Sequence, residues 1–182
     1  MDTRGAKAKG RSLQNRVAKD LAKITGLTYG SPNDDQADLR GRLMGTPGAD
    51  IVRSKDAMGL VPFYIEAKNS ESWSFGKRMF EDGLGQLVRW YLDNCAKAQA
   101  MEIASLNIPI VIAAKAHTSP VVLIAEHKHT LSSRWSTDGV VLVRIPLTRF
   151  LVKEADHRAV KGDAAVNILS WADFLRIWYG KV

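Results

Sequence analysis

Residues 45–69, GTPGADIVRSKDAMGLVPFYIEAKN, constrain the fold more than any other part of this 182-residue chain. They read as two short strands joined by a loop, the first holding Asp50 in GADIV and the second holding Glu66 and Lys68 in FYIEAKN. Side chains alternate along a strand, so Tyr64, Glu66 and Lys68 share one face and Phe63, Ile65 and Ala67 the other. An acid and a lysine at the end of an apolar strand are costly to desolvate unless they meet a partner or a ligand. With a second acid arriving on the neighbouring strand, the expected partner is a divalent cation.

The flanking segments fill in a mixed α/β order. Ser12 has the chemistry of an N-cap, Leu13, Val17, Leu21 and Ile24 recur at helical spacing, and Gly26 is placed to end that helix. Gln14 falls on the wheel with the apolar stripe, which asks for a hydrogen-bond partner or a metal, or else sits at the stripe's edge. Residues 26–49 are rich in Gly, Pro, Asn and Asp and predict a long irregular connection in which Arg40 and Arg42 flank Gly41. Residues 76–103 predict a helix with the stripe Phe80, Leu84, Leu87, Val88, Tyr91, Cys95 and Ala98. A second stripe, Met79, Gly83, Gln86 and Trp90, predicts cover on another side, and Gly83 and Gly85 mark a weak point. Strands are expected at 109–114, 121–125 and 140–145, the first two as a hairpin. Residues 147–167 read as an irregular excursion. Ser170 then caps a short helix with Trp171, Phe174, Leu175 and Trp178 on one face, stopped by Gly180. A mixed sheet flanked by helices satisfies this order.

Charge narrows the partners. The chain carries a net +7, and through Lys19 six basic residues face Asp2 alone, so most of the excess lies at the N-terminus. Residues 1–11 are expected to be a flexible basic arm before a single domain, 12–182. Such an arm suits a nucleic-acid backbone, where counterion release drives binding, with a solubilising tail as the alternative. The single cysteine, Cys95, fits a reducing compartment. No apolar run approaches the roughly 20 residues needed to span a bilayer, and the expected location is the cytoplasm.

Asp50, fifteen intervening residues, and then Glu66-Ala67-Lys68 resemble the bipartite signature of the PD-(D/E)XK nuclease superfamily. Pro47 stands three residues before Asp50, with Ala49 in the adjacent place. GTPGADI and IEAKN resemble segments of small phage-encoded nucleases and, more distantly, archaeal-type Holliday junction resolvases, over residues 10–125. The resemblance implies a restriction-endonuclease-like αβββαβ core, here with a C-terminal helix. It implies that Asp50, Glu66 and the Ala67 carbonyl hold Mg²⁺, with Mn²⁺ able to replace it, and that Lys68 serves the attacking water or the phosphoryl charge. Gln14 stands where many members carry an acid, which implies one metal rather than two, and Gln86 stands where resolvase-like members carry a glutamine. Lys7, Lys9, Arg11, Arg40, Arg42 and Asn69 are the expected DNA contacts. The implied activity is a metal-dependent DNA endonuclease of phage origin, acting in the cytoplasm of the host, with branched DNA as one substrate and a homodimer as the form that would cut both strands.

Three other readings share these residues: an exonuclease, a restriction-type nuclease, and a silent nucleic-acid-binding module in which Glu66 and Lys68 are an ordinary ion pair. His127 and His129 lack a third zinc ligand, and Asp34, Asp35 and Asp38 lack the glycine and terminal glutamate of a calcium loop. No phosphate-binding GxxxxGK[ST] occurs.

Overall fold

The N-terminal periodicity becomes a helix of 23 residues, α1 (Thr3–Thr25). In the computed structural model, residues 3–43, 45–73, 85–101, 106–115, 118–125, 143–146 and 165–180 are described. Helix α1 begins nine residues before the expected cap at Ser12, a correction with a simple cause. Lys7, Ala8, Lys9 and Arg11 are good helix formers, and an exposed extension of an existing helix needs no apolar stripe. Leu13, Val17 and Leu21 are buried along it. It ends where Gly26, at φ 78°, donates its N–H to the Ala22 carbonyl at 2.9 Å.

Next come β1 (Tyr29–Gly30), β2 (Leu39–Gly41), β3 (Ile51–Arg53), α2 (Lys55–Leu60) and β4 (Phe63–Asn69). The connection expected to be irregular thus contains β1 and β2, which join β3 in a small sheet, parallel between β1 and β2 and antiparallel between β2 and β3. Strands of two and three residues are too short to show period-two alternation. Asp38 ties this region down, accepting from Thr28 N–H at 3.0 Å, Thr28 Oγ1 at 2.8 Å and Ser54 Oγ at 2.9 Å. These bonds, led by the Thr28 N–H, hold its carboxyl below the usual aspartate range.

The main sheet continues through α3 (Gln86–Gln99), β5 (Ile108–Ala114), β6 (Val121–Ala125), β7 (Val143–Pro146), β8 (Ala165–Ser170) and α4 (Trp171–Tyr179). Its order is β4-β5-β6-β8-β7. The β4–β5 pair is parallel, with α3 in the crossover between them, and β5–β6 is the expected antiparallel hairpin. Strand β8 corrects the irregular reading of the residues before Asn167, because Ala165, Val166 and Asn167 already belong to it. Residues 74–84, 126–142 and 147–164, which include the first part of the helix expected over 76–103, His127, His129 and most of the expected excursion, lie outside the described residues.

Alternation divides the core between the two faces of this sheet. Ile65, Ala67, Ile110, Ile112, Val122 and Ile124 join Leu13, Val17 and Leu21 of α1 and Phe174 of α4. Val111, Ala113, Leu123, Val166 and Ile168 join Leu87, Val88 and Tyr91 of α3. The result is three layers, and the order α1-β2-β3-β4-α3-β5 is the αβββαβ core. At the C-terminus Ser170 Oγ accepts from Asp173 N–H at 3.1 Å, and Gly180 at φ 65° stops α4. Phe63 lies edge-on to Phe174 and Trp178, with centroids 5.3 and 4.6 Å away. Among the described residues no helix is long and apolar enough to cross a membrane.

Candidate active site

Asp50 is the residue at which the two sheets meet. Its N–H donates to the Ile65 carbonyl at 2.8 Å, and its carbonyl accepts from Arg42 N–H at 2.7 Å. Its side-chain Oδ2 accepts from Ala67 N–H at 2.7 Å. Successive residues direct their backbone groups to alternate edges of a strand, so the Ala67 carbonyl leaves β4 on the same edge as that N–H, towards Asp50. The approach to Asp50 requires glycine. Gly48 has φ 114°, and a Cβ there would come within 2.8 Å of the Arg42 guanidinium.

Glu66 follows one residue after Ile65 and is 7% exposed. Its Oε1 accepts from Lys68 Nζ at 2.5 Å, and its Oε2 lies 3.5 Å from Lys97 Nζ on α3. The register pairs Glu66 with Val111 and Lys68 with Ala113, which places both on the face covered by α3. Burial pushes the Asp50 carboxyl above the usual aspartate range, and the nearby Glu66 charge pushes it further. The Ala67 N–H, Lys68 and Lys97 oppose the shift. Tyr64, buried on the same face, has its phenol raised first by burial and then by Glu66. Two carboxylates, one lysine bridging to an acid and a second lysine above it therefore meet in one half-buried corner.

Other expected residues are distributed around this corner. Gln14 points inward at 4% exposure, and its Oε1 has no hydrogen-bond partner. It lies against β2, 3.6 Å from where a Cβ on Gly41 would stand. Gly41 pairs with Ile51, whose core is the α1 face, whereas Glu66 and Lys68 occupy the α3 face. Gln14 thus lies on the α1 side, and Glu66 and Lys68 on the α3 side. Gln86 is exposed in the first turn of α3. Asn94, two turns on, donates to the Tyr64 carbonyl at 3.0 Å. Arg40 is engaged by the Asp34 carbonyl and by Asp35 at 2.9 Å, and Arg42 Nε donates to the Ala49 carbonyl. Lys9 and Arg11 are exposed on α1, and Asn69 Nδ2 donates to the Lys9 carbonyl at 3.2 Å. Lys7 also belongs to α1, its side chain lying outside the described residues.

Sequence reading missed Lys97 and Asn94. Asn94 is fully buried and its Nδ2 donates to the Tyr64 and Ile110 carbonyls at 3.0 and 2.9 Å, bridging β4 and β5. The available signal was its place in the heptad, three residues after Tyr91 and four before Ala98, on a helix otherwise apolar there.

The donor set suits one hard cation. Asp50, Glu66 and the Ala67 carbonyl offer only oxygen, and Mg²⁺ is commonly held by one or two carboxylates with substrate phosphates and water. The mutual repulsion that helps to raise the Asp50 carboxyl is what a divalent ion would relieve. Among the described residues no group of three or more His, Cys, Asp or Glu side chains could hold a metal.

Comparison with known proteins matches residues 5–174 to the family described as Phage putative PDDEXK endonuclease. No curated protein and no solved structure matches the chain. That match spans both strands of the Asp50–Glu66 corner, the helices on either face and the start of α4, and the chain belongs to this family of phage PDDEXK endonucleases.

Proposed function

We propose that this chain is a divalent-metal-dependent endodeoxyribonuclease, with Asp50, Glu66 and the Ala67 carbonyl holding one Mg²⁺ for which Mn²⁺ can substitute. The observation that carries this reading is the bond from Ala67 N–H to Asp50 Oδ2, because it fixes the carboxylate at the entry to β3 beside the Glu66-Ala67-Lys68 strand. When bound, such an ion supplies Lewis-acid stabilisation of the phosphoryl oxygens and makes water nucleophilic near neutral pH. Hydrolysis forms one P–O bond to water and breaks one P–O bond to the sugar, whose oxygen leaves with a proton. Lys68 Nζ, anchored on Glu66 Oε1, is positioned to donate hydrogen bonds to the attacking water or to a phosphoryl oxygen as charge grows there. Lys97 adds a second positive charge over the same carboxylate. Branched DNA cut by a homodimer is the substrate reading that the resolvase-like motifs favour.

Cleavage of supercoiled plasmid, linear duplex and a four-way junction, each with Mg²⁺, with Mn²⁺ and with EDTA, tests these assignments. The wild type cuts with either metal and not with EDTA, and Asp50→Asn cuts at least ~100-fold more slowly. Equal cutting by Asp50→Asn would sink the metal assignment. A junction cut no faster than the duplex, by a monomer in solution, would remove the branched-DNA reading and leave the nuclease.

A further inference from the structure

We infer that the backbone of the bound DNA strand runs along a groove between the exposed face of α1 and the turn after β5, with Arg16 and Lys115 as its cationic walls. The inference rests on the nuclease reading for the identity of the substrate. The groove has a volume of about 400 Å³, and its polar lining is Ser12, Arg16, Asn69, Lys115, Thr118 and Ser119. Asn69 is the last residue of β4 and directly follows Lys68, with its side chain turned to α1 and not to the face of Glu66 and Lys68, so the groove lies beside the end of the strand that carries the candidate acid and lysine. No acid lines it among the described residues. Arg16 Nε lies 3.9 Å from Asp20, which already accepts from Trp171 Nε1 at 2.8 Å.

The chemistry of this lining is that of phosphodiester recognition. A guanidinium, an ammonium and three hydroxyls offer donors to phosphate oxygens, and among the described residues no aromatic ring lines the groove. Lys115 Nζ stands 5.2 Å from the centroid of the Trp73 ring, which limits its swing and keeps its charge at the groove wall. Lys19, three residues after Arg16, and Arg11, next to Ser12, extend the basic surface along α1. Contacts of this kind position a strand without reading its sequence.

Binding of the full chain to a labelled duplex, followed by fluorescence anisotropy in EDTA across a salt series, tests the groove. Arg16→Gln and Lys115→Gln are each expected to weaken binding by about 3–10-fold and to lower the slope of log K against log salt by about 1. Ser119→Glu, which places a like charge against the phosphates, is expected to weaken binding by about 10-fold. Lys55→Gln removes the same charge from the exposed surface of α2 and is expected to stay within about 2-fold of the wild type. Thermal melting of each variant separates lost contacts from lost fold, and the helix and turn variants read the groove independently. If Arg16→Gln, Lys115→Gln and Ser119→Glu all match Lys55→Gln in affinity and slope, the groove is wrong while metal-dependent cleavage still stands on its own assay. If they weaken binding and no metal supports cleavage, the groove stands and the nuclease reading falls.

Discussion

Asp50 is asked to do two opposed things. In the proposed metal site its carboxyl would have to be ionised to hold a cation, yet burial and the Glu66 charge both push its pKa above the ordinary value of 3.8. A raised carboxyl pKa means that the folded chain keeps a proton which the unfolded chain releases. Stability therefore falls as pH rises through the window above 3.8, and at neutral pH the Asp50 charge opposes folding. Asp50→Asn keeps an oxygen to accept the Ala67 N–H and removes the charge. Its Tm at neutral pH, without metal, is expected to exceed the wild type by about 2–4 °C, a gain that shrinks as pH is lowered towards the ordinary aspartate value. Added Mg²⁺ is expected to raise the Tm of the wild type and not of Asp50→Asn. A variant that is less stable than the wild type at neutral pH would show that the Ala67 bond depends on the charge. Of the corner itself, Asp50, Glu66 and Lys68 were legible because alternation and spacing are local properties. Lys97 was not, because its contact with Glu66 depends on how far along the sheet α3 lies.

Helix α3 owes its position to one polar side chain as well as to its stripe. Leu87, Val88, Tyr91, Cys95 and Ala98 are buried as their spacing predicts. Of the second stripe, Gln86 is exposed and Trp90 is half-buried against the α3-side core, while Met79 and Gly83 lie outside the described residues; the covered side also takes in Leu87, Tyr91 and Asn94. A polar residue in the interior is invisible to an apolar count, so the sequence turned the helix slightly away from its true face. Asn94→Ala removes both bonds to the Tyr64 and Ile110 carbonyls and leaves a small cavity. Urea unfolding is expected to show a loss of about 2–3 kcal/mol, with the midpoint falling and the slope unchanged. A loss below about 0.5 kcal/mol would mean that the apolar stripe alone positions α3. The missed strands have an equally physical explanation. Strands β1 and β2 are too short to show a period and are fixed by Asp38, which bonds back to Thr28 ten residues earlier. Strand β8 lies between β6 and β7, with both faces covered, so Ala165-Val166-Asn167-Ile168-Leu169 shows no alternation to read.

At the scale of the molecule, a net charge of +7 is concentrated on α1, on one side of the main sheet, while the half-buried carboxylates of Asp50 and Glu66 gather at the end of β4. Because α1 starts at Thr3, the basic N-terminal residues are carried on a helix, and the Lys9 carbonyl accepts from Asn69 at the end of β4. Deleting residues 1–11 would remove two turns of helix and that bond together with the charge, so it cannot isolate the electrostatics. The double variant Lys9→Gln/Arg11→Gln removes two charges, keeps the helix and keeps the backbone carbonyl. In DNA binding without metal it is expected to lower the slope of log K against log salt by about 2, with Tm within about 1 °C of the wild type. The deletion is expected to lower both the slope and the Tm. An unchanged slope in the double variant would make these two residues a solubilising surface and confine the phosphate contacts to residues closer to Lys68. A reduced slope would extend the DNA path along α1, from its first turns to the corner where Asp50 meets Ala67.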